Sequence, residues 1–558
     1  MNRCVQRIWT TLGDNTRERH RRVHERVRLD GKKVEEGDAV HLLEAVLEPG
    51  DRVCIEGDNQ KHAQVLMRAL LRVDPARIHD LHIVQSIVSL PENLDLFSRG
   101  IARRLDTCYA GAQGKRLAEM VKSGQVQLGS LHTFLELYAR YFLDLTPRVA
   151  LIAANAADIN GNLYTGPNTE DTPTIVEATK FKQGIVIAQV NEMVGKVPRV
   201  DIPGDQVDYI IPSSEPFYQD PLFTRDPARI SEKSILMAMM TIKGIYAHYG
   251  VTSLNHGIGY DTAAIELLLP TYGAELGLKG KICTHWVINP IPTIIPAIES
   301  GFVTSIYSFG SEPGMEAYVA QRPDVFFVGP DGSMRSHRAY CQLAGHYGVD
   351  LFIGSTLEID QYGNSSTATE DRILGFGGAP NMGANAPGRR HATRAWLEVG
   401  RNCTLHNLIN GPMPMGKRLI VQIVQSCRDP ARPTFVEKLS AWRLAEQAGL
   451  PLPPVMIYGQ DVTHIVTDIG IAYLYRCRDL NERRDCICAV AGASPLGSWV
   501  DADRIGELRE KKLVQYPEDL GIHRQDATRD LLAARSIDDL VAWSGGLYRP
   551  PSRLPRQH

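Results

Sequence analysis

No stretch of this 558-residue chain is apolar for long enough to cross a membrane. Runs such as Val149–Ala154 and Thr293–Ile298 fall far short of the roughly 20 residues a spanning helix requires. A secretory signal is also missing, because Met1–Gly13 has no apolar core followed by small residues. There is little excess charge: 61 basic side chains stand against 64 acidic ones, a net charge of −3. That balance provides no field for a polyanion and argues against a nucleic-acid binder. Cysteine is sparse, with ten residues and one close pair, Cys486 and Cys488. Their one-residue spacing is unlike that of zinc or redox motifs, so reduced thiols and a cytoplasmic location are expected. No Gly-x-Ser-x-Gly elbow, His-Glu-x-x-His helix or Walker loop is present, which sets aside serine hydrolases, zinc enzymes and P-loop NTPases.

What is present is an ordinary globular composition, 43% hydrophobic and 22% charged. Short β-branched apolar runs alternate with helical patterns. Arg52–Glu56, Val149–Ala154, Ile185–Val190 and Val207–Ile211 read as strands in the first half. Val251–Leu254, Lys281–His285, Val325–Val328, Val349–Ile353 and Leu419–Val424 do so in the second. This grammar predicts an α/β fold with largely parallel sheets covered by helices. A repeat lies beneath it. Leu151-Ile-Ala-Ala-Asn-Ala-Ala-Asp158-Ile-Asn-Gly161-Asn162 matches Ile353-Gly-Ser-Thr-Leu-Glu-Ile-Asp360-Gln-Tyr-Gly363-Asn364, each a buried strand running into Asp-x-x-Gly-Asn.

The expected layout is therefore a basic arm over 1–34, two related halves over 35–225 and 226–545, and a flexible Pro-rich tail over 546–558. The division falls in the polar stretch Pro212–Arg229, ahead of a capping signal at Ser231. Between Arg3 and Lys33 the arm carries ten Lys/Arg and four Asp/Glu. It reads either as a solvated arm or exposed helix, or as a docking arm for an acidic partner.

Open α/β folds bind ligands at the carboxyl ends of their strands. Leu254-Asn255-His256-Gly257-Ile258-Gly259 is a glycine turn in that position, before a helical Thr262–Leu269. Its backbone N–H groups suit an anion or a developing oxyanion, which makes Gly257 and Gly259 candidates, with Asn255 and His256 beside them. His256 also reads as a satisfied interior imidazole. A second turn, Gly375-Phe-Gly377-Gly378-Ala-Pro-Asn381-Met-Gly-Ala-Asn385, is neutral and rich in donors, which suits a carbonyl or thioester. It adds Gly377, Gly378 and Asn381. Asn162 and Asn364 either brace their own turns or present amide donors between the halves. Arg389 and Arg390 follow as a possible bidentate carboxylate clamp or as solvated side chains.

These residues carry a resemblance. Leu254–Gly259 resembles the Asn-Leu-Gly-Ile-Gly turn of family I coenzyme A transferases, and Gly377-Gly-Ala-Pro-Asn381 follows in that family's order. Val462-Thr-His-Ile-Val-Thr-Asp-Ile-Gly-Ile-Ala472 resembles a late segment of the same superfamily. More narrowly, the chain resembles the alpha-subunit family of bacterial, biotin-independent malonate decarboxylase, functionally analogous to the alpha subunit of citrate lyase. The resemblance implies two coenzyme A transferase-like halves with the active site between them. It also implies an acyl carrier protein transferase that exchanges acetate for malonate. The partners it implies are the carrier subunit, other decarboxylase subunits, malonate and acetate. No cofactor is expected on the chain itself. The carrier brings a phosphopantetheine-type, dephospho-coenzyme A-derived arm.

One departure is informative. Coenzyme A transferases place a nucleophilic Glu at the end of the strand after the glycine turn. The matching stretch here, Lys281-Ile-Cys-Thr-His-Trp-Val-Ile-Asn289-Pro290, has Ile288 at that place and no carboxylate. Direct exchange through a mixed anhydride is the route left open. A conventional transferase or hydrolase using Glu299 or Glu312, and a non-catalytic binding or assembly subunit, are the alternatives.

Overall fold

The computed structural model describes residues 8–57, 61–166, 169, 171–222, 225–308, 310–326, 349–378, 419–427 and 432–551, with side chains from residue 15. The first half builds an eight-stranded sheet. Its strands are β1 (Arg52–Ile55), β2 (Leu81–Ile87), β3 (Ala102–Tyr109), β4 (Gln127–Leu131), β5 (Val149–Asp158), β6 (Leu163–Tyr164), β7 (Ile185–Val194) and β8 (Tyr209–Pro212). They run in the order β4-β3-β2-β1-β5-β7-β8, all parallel along that path, with β6 paired antiparallel to β5. Ala150–Ala154 and Ile185–Ala188 are fully buried, as continuous apolar strands covered on both faces must be.

The second half continues with β9 (Ser253–His256), β10 (His285–Val287), β11 (Ser305–Tyr307), β12 (Leu351–Gly354), β13 (Glu358–Asp360), β14 (Ser365–Ser366), β15 (Ala368–Thr369), β16 (Arg372–Ile373), β17 (Leu419–Ile423), β18 (Phe435–Val436), β19 (His464–Val466), β20 (Ile471–Tyr473) and β21 (Val514–Gln515). Its main sheet is ordered β11-β10-β9-β12-β17-β19-β20-β21. Reading β9 as the counterpart of β1 reproduces six neighbouring strands of the first sheet in order: β10 matches β2, β11 matches β3, β12 matches β5, β17 matches β7 and β19 matches β8. Even one main-chain bond recurs, Glu56 N–H to Leu151 O at 2.8 Å and Gly257 N–H to Ile353 O at 2.7 Å. The α/β duplication expected from the sequence is the architecture found.

Three details differ from the sequence reading. The strand placed at Lys281–His285 begins only at His285, because Cys283 sits at φ +58° and its carbonyl accepts the Trp286 indole N–H. The basic arm is the helix among those readings, but over its described side chains it is docked rather than fully exposed. Ile8–Arg26 is a helix, and Arg19, 2% exposed, pairs with Glu48 at 2.7 Å and with Asp51. The tail placed at 546–558 starts too early. Tyr548 is buried and the Arg549 N–H bonds Gly314 O at 2.9 Å, so the chain through Arg549 packs on the second half. Residues 552–558 lie outside the described set.

The halves are not independent. The segment from β13 to Gly378 crosses back to the first half, where Ala110 N–H bonds Leu374 O at 2.7 Å. Ile373, Phe376, Phe435 and Leu444 share one hydrophobic cluster with first-half residues. Among the described residues no helix is long and apolar enough to cross a membrane.

Candidate functional site

The carboxyl end of β9 carries the first glycine turn. Gly257 donates its N–H to Ile353 O, and a Cβ there would lie 3.0 Å from Gly354 Cα. Glycine is needed for this close approach of two strands. Its donor is thereby occupied, so Gly257 does not serve as an oxyanion donor, contrary to the sequence reading. Gly259 is extended and caps the helix Tyr260–Leu268. The N–H groups of Ile258 and Gly259 make no hydrogen bond among the described residues, at a helix start where the local dipole favours anions. Thr262 Oγ1 steadies the turn by donating to Gly257 O at 2.7 Å and Gly259 O at 2.9 Å. Asn255 Nδ2 donates to Val287 O and ties the ends of β9 and β10 together.

His256 is the satisfied interior imidazole of its two readings, and its place among the substrate-binding candidates is corrected. Its Nδ1 meets Glu266 Oε1 at 2.9 Å and its Nε2 meets the Tyr246 hydroxyl at 2.8 Å, while Thr293 Oγ1 donates to Glu266 Oε2. The ring lies 4.4 Å from the Trp286 ring and is 2% exposed. Both nitrogens are engaged inside the core, and the side chain offers nothing to a substrate.

The second glycine turn docks on the first half. Gly375 at φ +88° bridges Tyr109, and Gly377 bridges Thr133. Gly377 spends its N–H on Cys108 O at 3.1 Å, so it is removed from the oxyanion donors for the same reason as Gly257. Gly378 is half-buried and closes the described part of the turn. Asn381, Arg389 and Arg390 lie outside the described residues.

The two Asp-x-x-Gly-Asn loops are the same object built twice. Asn162 Nδ2 donates to Asp158 Oδ2 at 3.0 Å and its Oδ1 accepts the Gly204 N–H at 2.9 Å. Asn364 Nδ2 donates to Asp360 Oδ2 at 2.9 Å and its Oδ1 accepts the Gly459 N–H at 2.8 Å. Both carboxamides are committed to their turns, so neither asparagine is a substrate donor. Asn162→Ala and Asn364→Ala should each cost about 1–3 kcal/mol of stability, through one lost hydrogen bond to the Asp carboxylate and an orphaned Gly204 or Gly459 N–H. Neither should change the KM for substrate; urea unfolding beside steady-state kinetics separates the two effects.

The sequence reading passed over a polar cluster at the carboxyl ends of the first sheet. Buried Glu56 follows β1, pairs with buried Lys61 at 3.1 Å, accepts from Thr172 Oγ1 at 2.5 Å and takes the Ala153 N–H at 2.7 Å. Next to it, Asp171 accepts from Ser86 Oγ at 2.6 Å and from the Tyr138 hydroxyl. His62 is 1% exposed, and neither ring nitrogen has a partner among the described residues; burial pushes it down to about 3, so the ring is neutral. The linker covers this cluster. Tyr218 packs on His62 and bonds Asp220 at 3.2 Å, and burial raises the Asp220 carboxyl to about 6 despite hydrogen bonds from Tyr218 and Ser89. Farther along, Arg225 pairs with Glu312 after β11, and Arg229 lies over the Tyr260 ring at 5.2 Å. The linker thus runs from the strand ends of one sheet to those of the other. One signal for Glu56 was available: superposing the repeats puts it in the place of Gly257.

A family described as malonate decarboxylase, alpha subunit, transporter matches residues 8–556. An acetyl-S-ACP:malonate ACP transferase from Malonomonas rubra is 57% identical over 549 residues, covering 98% of this chain and 99% of the relative. The chain belongs to the malonate decarboxylase alpha subunit family. A chain of the Pseudomonas malonate decarboxylase hetero-tetramer, solved in complex with malonate, is 54% identical with TM-score 0.90, over 98% of this chain and 99% of that one. An acyl-CoA transferase from Escherichia coli O157:H7, 14% identical with TM-score 0.51 over 80% and 89%, shares the fold alone.

Within this alpha subunit the three carboxylate questions have structural answers. Ile288, just past β10, is 1% exposed and part of the core. Glu299 ends the helix Ile295–Glu299 before β11, at the amino ends of the strands, and binds Tyr318 at 2.6 Å and Arg322. Glu312 does sit past β11, but it is 1% exposed, paired to Arg225 and also accepts the Leu222 N–H at 3.2 Å.

Proposed function

We propose that this chain transfers an acyl carrier protein from acetate to malonate, as a subunit of a biotin-independent malonate decarboxylase. Acetyl-S-carrier and malonate become malonyl-S-carrier and acetate. Near-complete, 57% identity to the Malonomonas rubra transferase supports the reaction. The observation that carries the route is buried Ile288 in the place where a nucleophilic Glu would stand.

In this route a malonate carboxylate oxygen attacks the acetyl thioester carbonyl. The tetrahedral oxyanion collapses, the C–S bond breaks, and a mixed acetic–malonic anhydride and the carrier thiolate remain bound. The thiolate then attacks the malonyl carbonyl, forming the new thioester and expelling acetate. Both nucleophiles come from the substrates, so the protein supplies orientation, oxyanion donors and exclusion of water. The Ile258 and Gly259 N–H groups at the helix start, Gly378, and the neutral His62 ring are the donors in this proposal. Arg389 or Arg390 is the proposed clamp for the second malonate carboxylate. The carrier docks with its phosphopantetheine-type arm reaching between the halves.

Asp220 provides a test. Its carboxyl, raised to about 6, is still ionised at about pH 7.5 and opposes a dicarboxylate. Asp220→Asn should lower the KM for malonate by about three- to tenfold at that pH, with a smaller change in kcat. Malonyl thioester formed from acetyl-S-carrier and carbon-13 malonate is the readout. A KM unchanged by the substitution places malonate elsewhere, and no thioester from the wild type removes the transferase reading.

A further inference from the structure

We propose that Cys477 and Cys486 form a reversible dithiol–disulfide pair, oxidised by small peroxides that enter the cleft beside the helix Leu480–Val490. The two Sγ atoms lie 3.6 Å apart. A disulfide needs roughly 2.05 Å, so closing the bond takes a small side-chain movement. Cys477 is half-buried and lines a cavity of about 530 Å³ with Tyr362, Asp479, Leu480 and Arg483. Cys486 lies behind it and is fully buried. A small oxidant therefore meets Cys477 first, with Cys486 placed to resolve the product.

The surroundings hold the pair in register. Asp479 caps the helix by accepting the N–H groups of Asn481 and Glu482, both at 2.9 Å. Arg483 donates to Leu474 O at 3.1 Å, Val462 O at 2.8 Å and Gly459 O, which pins the helix to the turn before Cys477. The thiols are also polarised in opposite senses. A hydrogen bond from Cys486, backed by the nearby Arg483 guanidinium, holds Cys477 below the usual thiol value, while the same contact and burial push Cys486 up. Cys488, 2% exposed and raised to about 11 mainly by burial, is no rival.

The chemistry balances with a peroxide as oxidant. The Cys477 thiolate attacks the peroxide oxygen, breaks the O–O bond and, with one proton taken up, gives a sulfenic acid and water. The Cys486 thiol displaces the hydroxyl, giving the disulfide and a second water. Two thiols lose two electrons and the peroxide gains them. Excess dithiol reductant reverses the bond by exchange.

The test treats the full-length protein with hydrogen peroxide and maps tryptic peptides without reduction. Cleavage after Arg478 and Arg483 leaves the two cysteines in separate peptides that only a disulfide joins. A linked peptide, lighter by two hydrogen masses than its reduced parts and released by dithiothreitol, is expected. Cys477 should also react with iodoacetamide about tenfold faster than half-buried Cys427. Cys486→Ser should leave a dimedone-reactive Cys477, and Cys477→Ser should abolish both products. Cys477 and Cys486 both staying reduced, or Cys486 joining Cys488 instead, overturns the proposal from the wild-type map alone.

Discussion

Gly375→Ala should slow acyl exchange by about a hundredfold, the scale expected when a site element is displaced by about an ångström. Gly375 sits at φ +88°, where an alanine is strained, and its Cβ would lie 2.3 Å from Cys108 O and 2.8 Å from Tyr109 Cα. Backbone cannot yield as a flexible side chain does, so the turn must lift. Its anchors on the first half, Phe376 N–H to Cys108 O at 2.7 Å and Phe134 N–H to Gly377 O at 3.1 Å, are lost or bent in the process. Gly378 then leaves the boundary between the halves, where the acyl group is proposed to lie. Both sheets are complete without these bonds, so circular dichroism should stay at the wild-type value. A variant that exchanges at the wild-type rate would place the acyl site away from this turn.

Acidification should destabilise the protein by roughly 4 kcal/mol between pH 7 and pH 5, from two buried neutral histidines. His62 and His464 are both held down to about 3, in each case chiefly by burial. His464 is fully buried, its Nε2 at 3.1 Å from the Tyr249 hydroxyl and Arg476 nearby. For a base with a depressed folded-state value the sign is fixed. The stability is present above the unfolded value of about 6.5 and is lost as pH falls from there toward 3, because only the unfolded chain takes up the proton. His132 acts in the other direction. Burial opposes its charge, but the Asp106 hydrogen bond at 2.7 Å raises it, so its contribution is complete below about 6.5 and fades above its raised value. His20, His82 and His248 are also held down, each chiefly by burial, so the depressed histidines outweigh the raised one. Urea midpoints at the two pH values measure the loss, and His62→Leu should remove about half of it. Equal midpoints for the wild type would contradict this reading.

The duplication was legible because the residues that mark it are the residues that build it. Asp158 and Asp360 each cap a turn, Gly161 and Gly363 each adopt positive φ, and the chemistry allows few substitutes. That same reasoning misleads about role, since a fully committed asparagine looks in sequence like an available one. Strands β2 and β3 escaped notice because polar residues break their apolar pattern. Half-buried His82 and buried Asp106 face each other across neighbouring strands and pair at 2.6 Å, a pairing visible only once the strands lie side by side. The first-sheet cluster was hidden for a related reason. Glu56 and Lys61 read as surface charges until burial and a 3.1 Å contact make them a pair. Asp220 belonged to a stretch legible as a boundary, with nothing local to show that the boundary covers strand ends from both sheets.

In the proposed route, acyl transfer proceeds without a covalent carboxylate on this chain. Intact-protein mass measured during turnover, with acetyl-S-carrier and carbon-13 malonate, tests it most directly. Labelled malonyl thioester is expected with the protein at its unmodified mass, in the wild type and in Glu299→Gln. An acyl or carrier adduct on the protein, absent from Glu312→Gln together with the activity, would contradict it and give Glu312 the role of nucleophile.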